Sequence, residues 1–187
     1  MKLLIASDLH GSALYCRKLL QAYQNEQPDR LLLLGDLLYH GPRNDLPPEY
    51  NPKAVISLLN SMADRLLCVR GNCDAEVDQM VLDFPILADY AVLSWNGRLI
   101  YATHGHIHGE QNPPKLQAGD ILLCGHTHIP CCTDHAVFTY WNPGSVSIPK
   151  DNSPRGYMLL TDEAARWKDL DGSVYLEFYA EEHPGSN

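Results

Sequence analysis

Five short apolar runs, each ending abruptly in a cluster of polar residues, constrain the fold of this chain more than any other feature. The first three runs span residues 2–6, 31–34 and 66–69, and two more lie near Leu99 and Leu122. Continuous apolar runs of this length are typical of strands that are buried on both faces. Each polar cluster therefore begins where a predicted buried strand ends.

Helical patterns separate the first three predicted strands. Ser12 can cap a helix that extends to about Asn25, and Pro52 precedes a second helix whose apolar residues continue to Met62. An alternation of strand and helix predicts parallel pairing with right-handed crossovers.

The second half of the chain is richer in strands. Asn96–Gly97 separates two extended runs and predicts a hairpin. Residues 135–141, 156–161 and 173–179 have the pattern of further strands, with a turn at Asp171–Gly172. This order predicts two sheets packed face to face with helices outside, in a single domain of residues 1–187.

Charge and composition narrow the class of partner. The 187 residues carry a net charge of −9, whereas non-specific nucleic-acid binding usually needs a basic face. No apolar run has the length of a membrane-spanning helix, and the first residues do not resemble a signal peptide. The six cysteines form no CxxC pair, which favours reduced thiols. We therefore expect a cytoplasmic protein that binds neither membranes nor nucleic acid stably.

The polar residues at the predicted strand ends form a set of metal-ligand donors. Ligands gather at the carboxyl ends of strands in sheets of this kind, so we expect these side chains to meet. Seven donors are too many for one tetrahedral ion and suit two ions that share a bridging carboxylate. The donors are Asp8, His10, Asp36, Asn72, His104, His126 and His128. Each of the short motifs that contain these donors would, alone, be interpreted as an ordinary loop. Five such motifs, each at the end of a predicted strand, favour a metal site.

The segments DLH, GD, GNCD, THGH and GHTH, which run from Asp8 to His128, resemble the signature of the calcineurin-like metallophosphoesterase superfamily. The segment WNPGSVSIPK resembles a turn of its small bacterial and archaeal phosphodiesterase subfamily. The resemblance extends to about residue 160. It implies a four-layer αββα sandwich of two mixed β-sheets flanked by helices, in agreement with the strand pattern above.

The same resemblance implies a dinuclear phosphodiesterase in which a hydroxide between two divalent ions is the nucleophile. One ion would be held by Asp8, His10, Asp36 and His128, and the other by Asp36, Asn72, His104 and His126. Asp36 would bridge the two. The relatives point to Mn²⁺, and the mixed donors also suit Fe or Zn. A small phosphoester substrate and a homo-oligomer are further expectations from the resemblance.

Cys73 departs from the family pattern, which places a histidine after the asparagine. That histidine is thought to protonate the leaving oxygen or to stabilise its charge. A thiol is a weak donor that cannot become a cation, and beside two cations its pKa should fall. We therefore expect slower hydrolysis of esters with poor leaving groups. Asp74 is an alternative source of the proton.

Basic residues outside the seven donors carry weaker signals. Arg43 and His40 follow Asp36 and are candidates for substrate contact, and Arg43 is equally well read as a solvated loop arginine. We interpret Lys150 and Arg155 as ordinary surface charges.

Other activities fit the same motifs. A phosphomonoesterase or a nucleotide pyrophosphatase would use similar chemistry. A non-catalytic metal-binding scaffold would be expected to have lost ligands, and here all seven are present.

Overall fold

A computed structural model describes residues 1–180 as two mixed β-sheets that pack against each other. The strands are β1 (Leu3–Ala6), β2 (Arg30–Leu33), β3 (Leu66–Cys68), β4 (Tyr90–Trp95), β5 (Arg98–Thr103), β6 (Asp120–Leu123), β7 (Cys131–Asp134), β8 (Phe138–Asn142), β9 (Gly156–Leu160), β10 (Ala164–Asp169) and β11 (Val174–Tyr179). The helices are α1 (Ala13–Glu26), α2 (Pro52–Asn60) and α3 (Glu76–Gln79), with a 3₁₀ turn at Ala63–Arg65. The strand order is β11-β10-β9-β1-β2-β3 in the first sheet and β4-β5-β6-β8-β7 in the second.

The first three strands pair in parallel, as the alternation of strand and helix predicts. Helix α1 begins at its predicted cap, Ser12, whereas α2 is capped by Asn51 and has Pro52 as its first residue. Ser12 Oγ accepts a hydrogen bond from Tyr15 N at 3.3 Å, and Asn51 Oδ1 accepts one from Ala54 N at 3.1 Å. Each bond satisfies a backbone donor that the first turn of a helix leaves free.

The strand-rich second half differs from the prediction in two places. The hairpin at Asn96–Gly97 joins β4 and β5 as expected. Strand β10 was not predicted, because Arg166 and Lys168 interrupt its apolar pattern on the face that is not fully buried. The strand predicted over residues 135–141 begins only at Phe138, because residues 135–137 form the turn that joins it to the antiparallel strand β7.

Two layers of apolar side chains explain why the central strands are apolar along their whole length. Leu4 packs toward the helices, whereas the next residue, Ile5, packs between the two sheets, and both are fully buried. Trp141 of the second sheet lies at the centre of the inter-sheet layer and packs edge to face on Trp95 and Trp167. The expectation of strands buried on both faces is confirmed for β1, β2 and β6. It is wrong for β3 and β5, where Leu67 and Leu99 are exposed on one face.

The predicted α/β architecture with two mixed sheets is confirmed. Helices α1 and α2 cover the outer face of the first sheet. The outer face of the second sheet carries a smaller cluster around Leu122, Cys124 and Tyr140, on which Leu116 from the loop of residues 104–119 packs. No helix within residues 1–180 combines the length and apolar character needed to cross a membrane. The single-domain expectation for residues 1–187 stays a prediction, and its last seven residues lie outside the described part.

Candidate metal centre

The seven predicted donors come together at one end of the two packed sheets. Asp8 and His10 follow β1, Asp36 follows β2, Asn72 follows β3, His104 follows β5, and His126 and His128 follow β6. Bonds between the sheets join these loops, since His126 N donates to Asp8 Oδ2 at 3.1 Å and His104 Nδ1 lies 2.7 Å from the carbonyl oxygen of Leu34. The packing of one sheet on the other therefore sets the geometry of the cluster.

The backbone of most of these donors is in the left-handed region, which residues other than glycine rarely adopt. The φ angles are 59° at Asp8, 47° at His10, 56° at Asp36, 65° at His126 and 64° at His128. Each such residue costs about 1–3 kcal/mol, and it persists only where the surrounding structure holds it. Such conformations concentrate at functional sites, and here they coincide with five of the seven donors.

Two glycines in the motifs allow the backbone to approach the aspartates closely. A Cβ on Gly71 would lie 2.1 Å from Asp36 Oδ1, and a Cβ on Gly125 would lie 3.0 Å from Asp8 Oδ2 and 1.9 Å from Ser7 Oγ. No side chain fits at either position. The glycine that precedes Asn72 is therefore required by contact with the Asp36 carboxylate, and the glycine that precedes His126 by contact with Ser7, next to Asp8.

Backbone carbonyl groups orient three of the four predicted histidine ligands. In His10, His104 and His128 the ring atom Nδ1 faces a backbone carbonyl oxygen, which can only accept a hydrogen bond. The acceptors are Tyr39, Leu34 and Ile148, at 2.7, 2.7 and 2.6 Å. Nδ1 must then carry the proton, so a neutral ring presents the lone pair of Nε2 to the cluster.

The lone pairs of these rings converge on other acceptors. His10 Nε2 lies 3.3 Å from His128 Nε2, and His104 Nε2 lies 3.1 Å from Asn72 Oδ1 and 3.2 Å from His126 Nδ1. Asp8 Oδ1 is buried and accepts no hydrogen bond from the described residues. Acceptors at these separations repel one another unless a proton or a cation lies between them. The arrangement therefore fits bound metal ions, in agreement with the nitrogen and oxygen donors that such ions prefer.

Burial and charge act against each other at the two carboxylates. Burial alone would raise the pKa of Asp8 and of Asp36, but the neighbouring histidines outweigh it and lower both pKa values. Burial would lower the pKa of His104, but Asp36 and Asp8 raise it to about 9. The same carboxylates that favour a proton on His104 favour a metal cation there. Burial lowers the pKa of His126 to about 4, so that ring is neutral and free to coordinate.

Asp74 positions the loop that carries Asp36. Its buried carboxylate accepts hydrogen bonds from the backbone N–H groups of Asp36, Leu37 and Gly71, at 2.8, 2.9 and 2.7 Å. Both oxygens are occupied in this way, so the geometry does not support the idea that Asp74 delivers a proton to the leaving group. Ser145 and Ser147 support Asp8 similarly, because both hydroxyls donate to its carbonyl oxygen at 2.9 Å.

Cys73 lies inside the cluster and is half-buried. Its backbone N–H donates to Asp36 Oδ1 at 2.8 Å, and its Sγ belongs to a group with His10 and Asp36 whose donor atoms all lie within 4.8 Å of one another. Burial and then the Asp36 carboxylate raise the pKa of Cys73 to about 12. The protein's own groups therefore keep the thiol neutral, and the fall in pKa expected beside two cations would have to come from the ions.

A cavity of about 420 Å³ lies over the predicted metal ligands, and its lining includes two cationic side chains. Arg43 and Lys150 both line it, although the sequence suggested only a surface role for Lys150. His40 is not among the lining residues and instead packs against the rings of Tyr39 and Tyr50. No sequence pattern marks Lys150, because its position depends on how the loop after β8 folds back on the site.

Comparisons with known proteins agree with this geometry. Residues 1–165 match the calcineurin-like phosphoesterase superfamily domain. The chain is 44% identical over 163 residues to phosphodiesterase YfcE of Escherichia coli strain K12, which covers 87% of this chain and 89% of that protein. It is 27% identical over 173 residues to the probable metallophosphoesterase YsnB of Bacillus subtilis strain 168, with 87% and 85% covered.

A solved structure gives the same result in three dimensions. The structure of YfcE, described as a phosphoesterase from Escherichia coli, superposes with a TM-score of 0.92 at 41% identity and covers 96% of this chain and 99% of that one. The match of sequence family, identity and fold is consistent over most of the chain. The protein therefore belongs to the calcineurin-like phosphoesterase superfamily.

Proposed function

We propose that this protein is a metal-dependent phosphodiesterase that hydrolyses small phosphodiesters at a centre of two divalent ions. The observation that carries the proposal is the convergence of histidine lone pairs and buried carboxylates at one end of the two sheets. The 44% identity to a protein named as a phosphodiesterase supports the choice of reaction.

The distances favour a division of the donors into two groups that share Asp36. One group is Asp8, His10, Asp36 and His128, and the other is Asp36, Asn72, His104 and His126. Asp36 Oδ2 lies 3.7 Å from His10 Nε2 and 3.5 Å from His104 Nε2, so one carboxylate oxygen reaches both groups. This supports a bridging role for Asp36.

When bound, the ions would lower the pKa of the attacking water and neutralise charge on the phosphoryl oxygens. The chain's own residues hold the reacting groups in place. The carbonyl bonds to Nδ1 keep three rings oriented, and Asp74 holds the backbone of Asp36. Arg43 lines the cavity, which supports the proposal that its guanidinium group forks onto a phosphate oxygen. His40 has no contact with the cavity that supports a role in binding.

Manganese is the metal that we propose, with Fe or Zn as alternatives. Carboxylate and amide oxygens suit a hard ion such as Mn²⁺, and imidazole nitrogen is also shared by Fe and Zn. Metal identity follows availability and geometry more than affinity, so reconstitution with each ion is the direct test.

Cys73 determines which leaving groups the proposed enzyme can protonate. A neutral thiol is a weak hydrogen-bond donor, so the enzyme lacks a strong general acid at this position. General acid catalysis contributes roughly 10²–10⁴-fold. Activated esters, whose leaving groups need no proton, are therefore the substrates least affected.

We further propose that the protein is cytoplasmic and self-associates. All six cysteines are free thiols, which is the state that a reducing compartment maintains. Cell fractionation tests the cytoplasmic location.

An apolar patch on the outer face of the second sheet fits a second copy of the chain, and it is formed by Tyr90, Val92, Leu99 and Tyr101. The net charge of −9 disfavours nucleic acid as the partner.

Hydrolysis assays separate the candidate activities. After metal removal with a chelator, the protein should hydrolyse bis-p-nitrophenyl phosphate when Mn²⁺ is restored, and faster than p-nitrophenyl phosphate or a nucleotide pyrophosphate. A preference for the monoester or for the pyrophosphate would replace the diesterase proposal. Stoichiometric metal binding without turnover on any of the three would favour a non-catalytic scaffold.

Replacing Cys73→His should raise kcat on an aryl phosphodiester, because an imidazole can donate the proton that the thiol does not. Cys73→Ser should change kcat by no more than about threefold, since a hydroxyl is a similarly neutral group. The measurement is steady-state kinetics at equal metal content. Complete loss of activity in Cys73→Ser would instead make the thiol a ligand or a nucleophile.

Asp74→Asn should reduce metal content and lower kcat/KM by about 10–100-fold, the usual effect of removing support from behind a ligand. An amide cannot accept from all three N–H groups, so the loop that carries Asp36 should lose its fixed position. Metal analysis after gel filtration checks this. Asp78→Asn is the matched control, because Asp78 accepts from Ala75 N at the start of α3 and not from the ligand loop. Equal metal loss in both variants would contradict the positioning role.

Val92→Lys should shift the protein to the monomer in sedimentation velocity, because a charge would be buried in the interface. Val92 is 52% exposed on β4, whereas Val174 is 44% exposed on β11 at the far edge of the first sheet. Val174→Lys should therefore leave the oligomer intact. An unchanged oligomer in Val92→Lys, or a monomeric wild-type protein, argues against this surface.

A further inference from the structure

We propose that Lys150 binds a second anionic group on the substrate, so that the enzyme prefers phosphodiesters whose substituent carries a carboxylate or a phosphate. This inference rests on the phosphodiesterase activity proposed above and adds a specificity-determining residue to it.

Lys150 belongs to the cavity over the metal centre. It lines the same space of about 420 Å³ as His10, Asp36, Asn72 and His128. The residue therefore forms part of the cavity wall while remaining exposed to solvent. A flexible four-carbon stem lets its ammonium group follow a ligand of variable size.

The backbone of Lys150 is tied to a predicted metal ligand. Lys150 N donates to the carbonyl oxygen of His128 at 3.2 Å, and the Lys150 carbonyl oxygen accepts from Ser153 N at 3.0 Å and from Ser153 Oγ at 2.6 Å. Two residues earlier, the Ile148 carbonyl orients the His128 ring. The origin of the lysine side chain is thus held in register with the metal centre.

Lys150 has no ionic partner within residues 1–180. No carboxylate of that part of the chain lies within 4.0 Å of its ammonium group. The protein carries 23 acidic and 14 basic side chains. Lys150 is therefore not unpaired because the chain has too few carboxylates. An anion that enters the cavity meets a donor whose hydrogen bonds are not already used.

Arg43 approaches the cavity from a different loop. A Cβ on Gly41, two residues before Arg43, would lie 3.5 Å from Cys73 Sγ, whereas Lys150 is bonded to the backbone of His128. The two cations therefore reach the cavity from two separate loops.

Charge balance shows why the second cation points to a second anion. The phosphate of a simple diester carries one negative charge. Two divalent ions would balance it even after the charges of Asp8, Asp36 and a bound hydroxide are subtracted, and Arg43 adds a further positive charge. Lys150 adds charge that such a substrate does not need. A substituent with its own carboxylate or phosphate would use it, through a charge-assisted hydrogen bond.

A series of p-nitrophenyl phosphodiesters tests the proposal, because the leaving group stays constant while the second substituent changes. The three esters carry an ethyl group, a carboxyethyl group and a choline group. Lys150→Ala should lower the ratio of kcat/KM for the carboxyethyl ester to that for the ethyl ester by about tenfold, at the lower end of the range for hydrogen bonds to charged groups. The change should lie mainly in KM.

Further variants separate binding from a structural effect. Lys150→Arg should restore most of the ratio, and Lys150→Glu should shift the preference toward the choline ester. Lys115→Ala is the matched control, since Lys115 is exposed and does not line this cavity, and it should leave the ratio unchanged. Metal content and circular dichroism should match the wild type in every variant.

The outcomes distinguish this proposal from the activity on which it rests. An unchanged ratio in Lys150→Ala, or an equal fall on all three esters, would overturn the role of Lys150 and leave the phosphodiesterase activity standing. Failure of the wild-type protein to hydrolyse any of the three with Mn²⁺, Fe²⁺ or Zn²⁺ would overturn the proposed function itself.

Discussion

Two carboxylates buried side by side are the constraint on which the rest of this structure depends. Asp8 is fully buried and Asp36 is 2% exposed, and they follow neighbouring parallel strands. Burying like charges is costly unless cations or hydrogen-bond donors surround them. The histidines, the N–H groups of His126 and Cys73, and the predicted metal ions all serve this compensation. The chemistry of the site follows from a cluster that is stable only when it holds positive charge.

The inter-sheet core makes such a site possible. Left-handed backbone at five donor residues and close contacts at Gly71 and Gly125 would relax in a flexible loop. Here the loops emerge from strands whose inner faces are buried between the sheets, and Trp141 packs tightly in that layer. A rigid interior therefore supports strained turns at its edge, and those turns direct lone pairs toward one another. Stability in the core and chemistry at the edge are linked through the strand ends.

Much of this could be predicted from local pattern. Apolar runs predict the central strands, Ser12 predicts the start of α1, and the polar residues at strand ends identify the donors that meet in the structure. The failures have physical causes. Strand β10 escapes detection because it carries charged side chains along its length and is recognisable only by its pairing with β9 and β11. Asp74 looks like a catalytic acid in sequence because only the fold shows that three backbone N–H groups occupy it.

The sequence by itself determined the types of donor and the strand ends on which they lie, because hydrophobic burial and turn chemistry act over short distances along the chain. Only the tertiary structure decided which nitrogen of each histidine faces the cluster, since that depends on carbonyl groups of Tyr39, Leu34 and Ile148 from distant segments. It also decided that Lys150 lines the cavity and that His40 does not. Those outcomes depend on how separate loops pack against one another, and contacts between distant segments leave no periodic trace in the sequence.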